Sequence, residues 1–124
     1  PAVHARFKRV VILNRDALDV IRQQDGSRTL YYLDPTYPAE TRTAPSIYDY
    51  EMGDADHQQL LELLTSIKGR FILSGYHNRL YDDFACKCGW RLVEFEIDNK
   101  ASGAKVKRKM IECCWMNYET HRIE

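Results

Sequence analysis

Net charge is missing from this chain: 18 lysines and arginines face 18 aspartates and glutamates. No global field draws it to nucleic acid or membrane, so any such binding rests on local patches. Long hydrophobic runs are missing too, and nothing approaches the roughly 20 apolar residues that span a bilayer. The basic start, Pro1 to Val10, lacks the apolar core of a signal peptide, so the expected location is cytoplasmic. The absence of an initiator Met reads as a processed or truncated chain. Internal repeats and low-complexity tracts are absent. Cysteine is scarce, with four in 124 residues. They occur as Cys86-Lys-Cys88 and as the adjacent pair Cys113-Cys114, without the CxxC spacing of most zinc loops. In a strand, Cys113 and Cys114 point to opposite faces. Four free thiols in a reducing compartment are therefore favoured over zinc, and no metal is expected.

The composition that is present, 44% hydrophobic and 11% aromatic, fits a globular fold. The length suits one domain around one core. Val10-Val11-Ile12-Leu13 reads as a buried strand entering the turn Asn14-Arg15-Asp16. Asp16 can cap a short helix from Ala17 to Gln24, with Leu18 and Ile21 on one face and Gly26-Ser27 closing it. Leu30 to Leu33 is a second strand. Tyr37 to Met52 has no clear period and reads as a loop, of a length that is usually functional or disordered in a compact domain. A helix starts at Asp54-Ala55-Asp56, with acidic residues favourable to its dipole, and ends at Lys68-Gly69. Arg70 to Leu73 is a third strand, Asn78 to Ala85 a short helix, Trp90 to Ile97 a fourth strand and Met110 to Tyr118 a fifth. Alternating strands and helices predict parallel βαβ units, and the last two strands an antiparallel hairpin. The expected fold class is therefore α/β, mostly parallel with a C-terminal hairpin.

The second strand stops at Asp34-Pro35-Thr36-Tyr37. Pro has no N–H and a fixed φ, so the chain leaves the sheet extended and the Pro35 carbonyl is free. Asp34 adds a carboxylate acceptor and Tyr37 a stacking face. Two acceptors and a stacking face suit the exocyclic amino group of a nucleobase, with nitrogen's lone pair left for an electrophile. The plainer reading is a strand end followed by a Pro turn. In an open α/β sheet, ligands bind beyond the carboxyl ends of the parallel strands. Asp16, Asp34 to Tyr37, and Ser74 to Tyr76 all fall at such ends.

Several spaced elements together resemble the Dam-type DNA adenine-N6 methyltransferases. They are Leu33 to Tyr37, Glu40-Thr41-Arg42, Tyr50-Glu51-Met52, Asp56-His57, Leu60 to Leu64, Gly69, Ser74-Gly75-Tyr76, Leu80-Tyr81 and Trp115 to Tyr118. The resemblance runs from about Asn14 to Tyr118. It implies a Rossmann-like fold that uses S-adenosyl-L-methionine, with Asp34, Pro35, Thr36 and Tyr37 in the place of the family's DPPY motif. It further implies that Asp34 and the Pro35 carbonyl hold the target adenine's amino group and that Tyr37 stacks on the base. Asp34 and Asp16 would contact the cofactor. The implied partner is double-stranded DNA with one adenine flipped out.

The chain departs from that family in two ways. Thr36 replaces the second Pro and relaxes the backbone restraint on Pro35. The family's glycine-rich cofactor turn and its target-recognition region are not in this sequence. The chain thus looks like the C-terminal portion of a longer enzyme, inactive alone, whose exposed sheet edges invite homodimers or strand exchange. Arg42 is a candidate DNA contact beside the flipped base. The basic turn with Lys100, Lys105, Lys107, Arg108 and Lys109 reads equally as a phosphate contact or as a solvated hairpin tip. His57 is expected to be structural. Tyr48, Tyr50, Tyr81 and Trp115 are expected to pack, and Ser74 to Tyr76 to form a strand end. Two alternatives stay open: methyl transfer to another amino or amide group, and a non-catalytic remnant that binds nucleic acid.

Overall fold

Asp16 begins the first substantial helix because its side chain accepts from the Asp19 backbone N–H at 3.0 Å. The computed structural model describes residues 2–38, 51–98 and 109–119. Along the chain come α1 (Ala2–Phe7), α2 (Ala17–Gln24), β1 (Leu30–Leu33), α3 (Asp54–Leu64), β2 (Arg70–Tyr76), α4 (Arg79–Cys88), β3 (Arg91–Asp98) and β4 (Lys109–Met116). Among the described residues the strands form one sheet in the order β1-β2-β4-β3.

The sheet is mixed. β1 runs parallel to β2, with Leu30 opposite Arg70 and Leu33 opposite Leu73. β4 lies antiparallel to β2 on one side and to β3 on the other. The α/β class and the final antiparallel pair agree with the sequence reading, but the mostly parallel sheet does not: one neighbouring pair of three is parallel. The physical reason lies in the hairpin. Its returning strand, β4, docks against β2, and a strand antiparallel to β3 must then take the central place.

The expected first strand is a second correction. Val10 to Leu13 form no strand and are exposed, Ile12 at 83%. Among the described residues nothing hydrogen-bonds that run into the sheet, and a strand is stable only where its N–H and C=O groups are paired.

The core lies on one sheet face. Phe71 and Leu73 of β2, and Cys113 and Trp115 of β4, alternate onto the side that meets Ile21 of α2, Leu60, Leu61 and Leu64 of α3, and Tyr81 and Ala85 of α4. Each large apolar side chain fully buried there contributes about 1.5–3 kcal/mol. Phe71 also meets Trp90 edge-on at 4.9 Å, and Tyr81 meets Trp115 at 5.2 Å.

Two side-chain clamps hold the amino edge of the sheet. The Asp25 carboxylate accepts from the Lys68 N–H at 2.9 Å and the Gly69 N–H at 2.9 Å. Asn117 accepts from the Phe71 N–H and donates to the Gly69 carbonyl, both at 2.9 Å, continuing the β2–β4 ladder by one side chain. α3 ends at Leu64 with Thr65 as its cap, four residues before Gly69, so Gly69 is not the expected helix stop. Its φ is not positive; a Cβ there would lie 2.9 Å from the Tyr31 ring and 3.0 Å from the Thr29 carbonyl. Close approach, not a left-handed turn, requires the glycine. The left-handed cap belongs to Gly89, with φ of 66°, after α4.

Candidate functional site

Because β1 and β2 are parallel and in register at Leu33 and Leu73, the residues that follow them meet at one edge. β1 ends there at Asp34-Pro35, and an edge strand tolerates a proline that a central strand would not. Asp34 is exposed at this edge. The Ser74 hydroxyl of β2 lies 3.0 Å from Asp34 Oδ1 and 3.2 Å from the Leu33 carbonyl. Ser74 is itself fully buried, so its donor is held in place by packing. It fixes one carboxylate oxygen, Oδ1.

Thr36 Oγ1 accepts from the Met52 N–H at 3.1 Å. The hydroxyl thereby ties the motif to the far end of the segment 39–50, which a proline in that place could not do. Tyr37 lies against Tyr76 with ring centroids 4.6 Å apart and planes at 50°. Burial, then the neighbouring Tyr76 and Glu112, push the Tyr37 phenol up to about 12. Tyr37 is therefore neutral at physiological pH and serves as a surface and hydrogen-bonding group rather than as a base. Asp34, Pro35, Thr36 and Tyr37 line a cavity of about 300 Å³, at the lower end of the range for small-molecule sites.

A larger cavity of about 720 Å³ begins one residue further on. Pro38, the first turn of α3 (Asp54, Ala55) and the start of α4 (Asn78, Arg79) are in its wall. Among the described residues its walls come from three separated segments, and no sequence motif announces it. Behind that wall, His57 Nδ1 meets the Tyr81 hydroxyl at 2.9 Å. Burial raises the Tyr81 phenol above its ordinary value. Both residues are sealed in the interior, as expected for structural roles.

Of the residues singled out from sequence, Asp34, Pro35, Thr36 and Tyr37 are brought together in one cavity wall. Asp16 is occupied as the cap of α2 through Oδ1. The other end of α2 is fixed to the start of β2 through Asp25. Arg42, Tyr48, Tyr50, Lys100, Lys105, Lys107 and Arg108 lie outside the described residues. Lys109 is exposed and paired with Glu96 at 2.8 Å. Ser74 to Tyr76 end β2 as expected, and Ser74 and Tyr76 also meet Asp34 and Tyr37 of the motif. The available signal was the period of two: residues 74 and 76 share a face, and parallel register brings that face to Asp34.

Comparison of the chain with protein-family models, with curated proteins and with solved structures gives no match.

Proposed function

We propose that this chain carries the acceptor half of an S-adenosyl-L-methionine-dependent methyltransferase acting on the N6 amino group of adenine in DNA. One observation carries the reading. A strand-end carboxylate, Asp34, is aimed by a buried hydroxyl into a base-sized cavity whose other walls are Pro35, Thr36 and an aromatic ring. An amino group has two hydrogens and one lone pair. Asp34 and the Pro35 carbonyl suit the two hydrogens, and the lone pair is then left for the methyl group.

The residues fit the reactive end of the cofactor, where a carboxylate tolerates the sulfonium charge, and the 720 Å³ cavity that starts at Pro38 has volume for a nucleoside-sized group. When bound, the cofactor supplies an electrophilic methyl with a neutral thioether as leaving group. The chain's own contribution is positioning. Tyr37, whose ring lies tilted against Tyr76, is the aromatic on which a base extruded from the duplex would stack. Asp34 accepts from the amine and offsets the positive charge that grows on nitrogen as the new bond forms. The nitrogen's surplus proton then leaves along the same hydrogen bond.

The test is a methyl-transfer assay on the intact gene product, with labelled cofactor and DNA, RNA and glutamine-containing peptide as acceptors. N6-methyladenine in DNA is expected, with Asp34→Ala lowering the rate about 10²–10³-fold. Label in RNA or peptide would reassign the acceptor. No label with any acceptor would defeat the reading and favour a non-catalytic role.

A further inference from the structure

On the helix-covered face of the sheet, away from Asp34, a second group of side chains converges. Cys113 on β4 stands opposite Glu94 on β3 and opposite Gly75 on β2. His77 follows the end of β2, two residues beyond Gly75. One donor atom from each of His77, Glu94 and Cys113 lies within 4.8 Å of the others. Cys113 is fully buried, while His77 and Glu94 open to solvent at 41% and 53% of their side-chain surface. A small ion therefore has an entry path over a buried soft donor.

The imidazole is already oriented. His77 Nδ1 faces both oxygens of Asp82 on α4, at 3.0 and 3.1 Å. Its Nε2 faces the Glu94 carboxylate at 2.8 Å. A carboxylate that accepts the N–H of one ring nitrogen fixes the tautomer and leaves the other nitrogen to bind a metal.

We propose that His77 Nε2, a Glu94 carboxylate oxygen and Cys113 Sγ form a binding site for a zinc ion, with Asp82 orienting the histidine. One thiolate, one imidazole and one carboxylate are the donors that a borderline-soft, tetrahedral cation selects. Metal–ligand bonds of about 2.0–2.3 Å at tetrahedral angles set donor atoms about 3.3–3.7 Å apart. The present spread of up to 4.8 Å must close by about 1 Å on binding, and two of the three side chains are exposed. Binding exchanges protons for the metal: the Cys113 thiol and the ring nitrogen give up theirs to solvent. Three protein ligands leave the fourth position to water. The site would join β3, β4, the end of β2 and, through Asp82, α4. The paired-cysteine arithmetic that argued against zinc still applies to Cys114, which points to the other face of β4. It does not apply to a site that uses one cysteine.

Cobalt(II) is the probe, added to the chelator-treated 124-residue chain in which the exposed Cys86 and Cys88 are both changed to Ser. One equivalent is expected to bind with a near-ultraviolet thiolate-to-cobalt band, and one equivalent of zinc to remove that band. Cys113→Ser should abolish the band, and Cys114→Ser should leave it intact. Asp82→Asn should weaken binding about 10–100-fold. Glu94→Gln, at an exposed position that does not threaten folding, should weaken it at least tenfold. Absence of one-to-one binding, a band that survives Cys113→Ser, or unchanged affinity in Glu94→Gln would each overturn the proposal.

Discussion

Asp34 depends on a neighbouring strand for its orientation. It sits past the end of a four-residue edge strand, and what aims it is Ser74 on the neighbouring strand. Ser74→Ala should therefore fold, at a cost of about 1 kcal/mol for the lost hydrogen bond. In the proposed reaction it should slow turnover about tenfold while leaving the affinity for DNA unchanged. An unchanged rate in a single-turnover methylation assay would remove Ser74 from the site. Thr36 is also better understood in place. As a sequence feature it loosens the motif, but its hydroxyl receives the Met52 N–H and restrains the chain by a different bond. Sequence alone cannot show that exchange, because the partner lies 16 residues away.

At the scale of elements, the turn between α3 and β2 is organised by Asp25 and Gly69. The backbone N–H of Lys68, with that of Gly69, holds the Asp25 carboxyl below its ordinary range, against a smaller opposing effect of burial. A depressed folded-state value means that the stabilisation is fully present above the ordinary carboxylate pKa of about 4 and is lost as the pH falls through the folded value. Asp25→Asn should accordingly melt at a lower temperature near pH 7, with the gap to the parent narrowing below about pH 4. Thermal melts across that range, read by circular dichroism, check it. Gly69→Ala places a Cβ against the Tyr31 ring and the Thr29 carbonyl and should cost about 1–3 kcal/mol in chemical denaturation. A left-handed helix stop at this position would penalise alanine through φ instead, and the observed φ excludes that explanation. Helices and strands were largely legible from apolar spacing and caps: Asp16, Asn78 and the acidic start at Asp54 all begin helices as expected. Val10 to Leu13 is an exception, an apolar run that stays exposed. Hydrophobicity states what a segment can bury, not that a partner strand stands beside it.

At the scale of the molecule, the core is a layer between one sheet face and α2, α3 and α4, and α1 contributes nothing to it. Every described residue from 2 to 13 is exposed. Deleting residues 1–13 should therefore change unfolding free energy by less than about 0.5 kcal/mol, as for surface changes generally. A large loss in urea denaturation would show that the segment packs in solution. The sequence by itself determined the α/β class, most element positions and the Asp34 to Tyr37 cluster, because these follow from local periodicity, capping and the chemistry of proline. Only the tertiary structure decided that β4 takes the place beside β2, that Ser74 aims Asp34, and that His77, Asp82, Glu94 and Cys113 meet. Each of these is a contact between segments distant in the chain. Such contacts are set by strand order and register, and no short stretch of sequence encodes either.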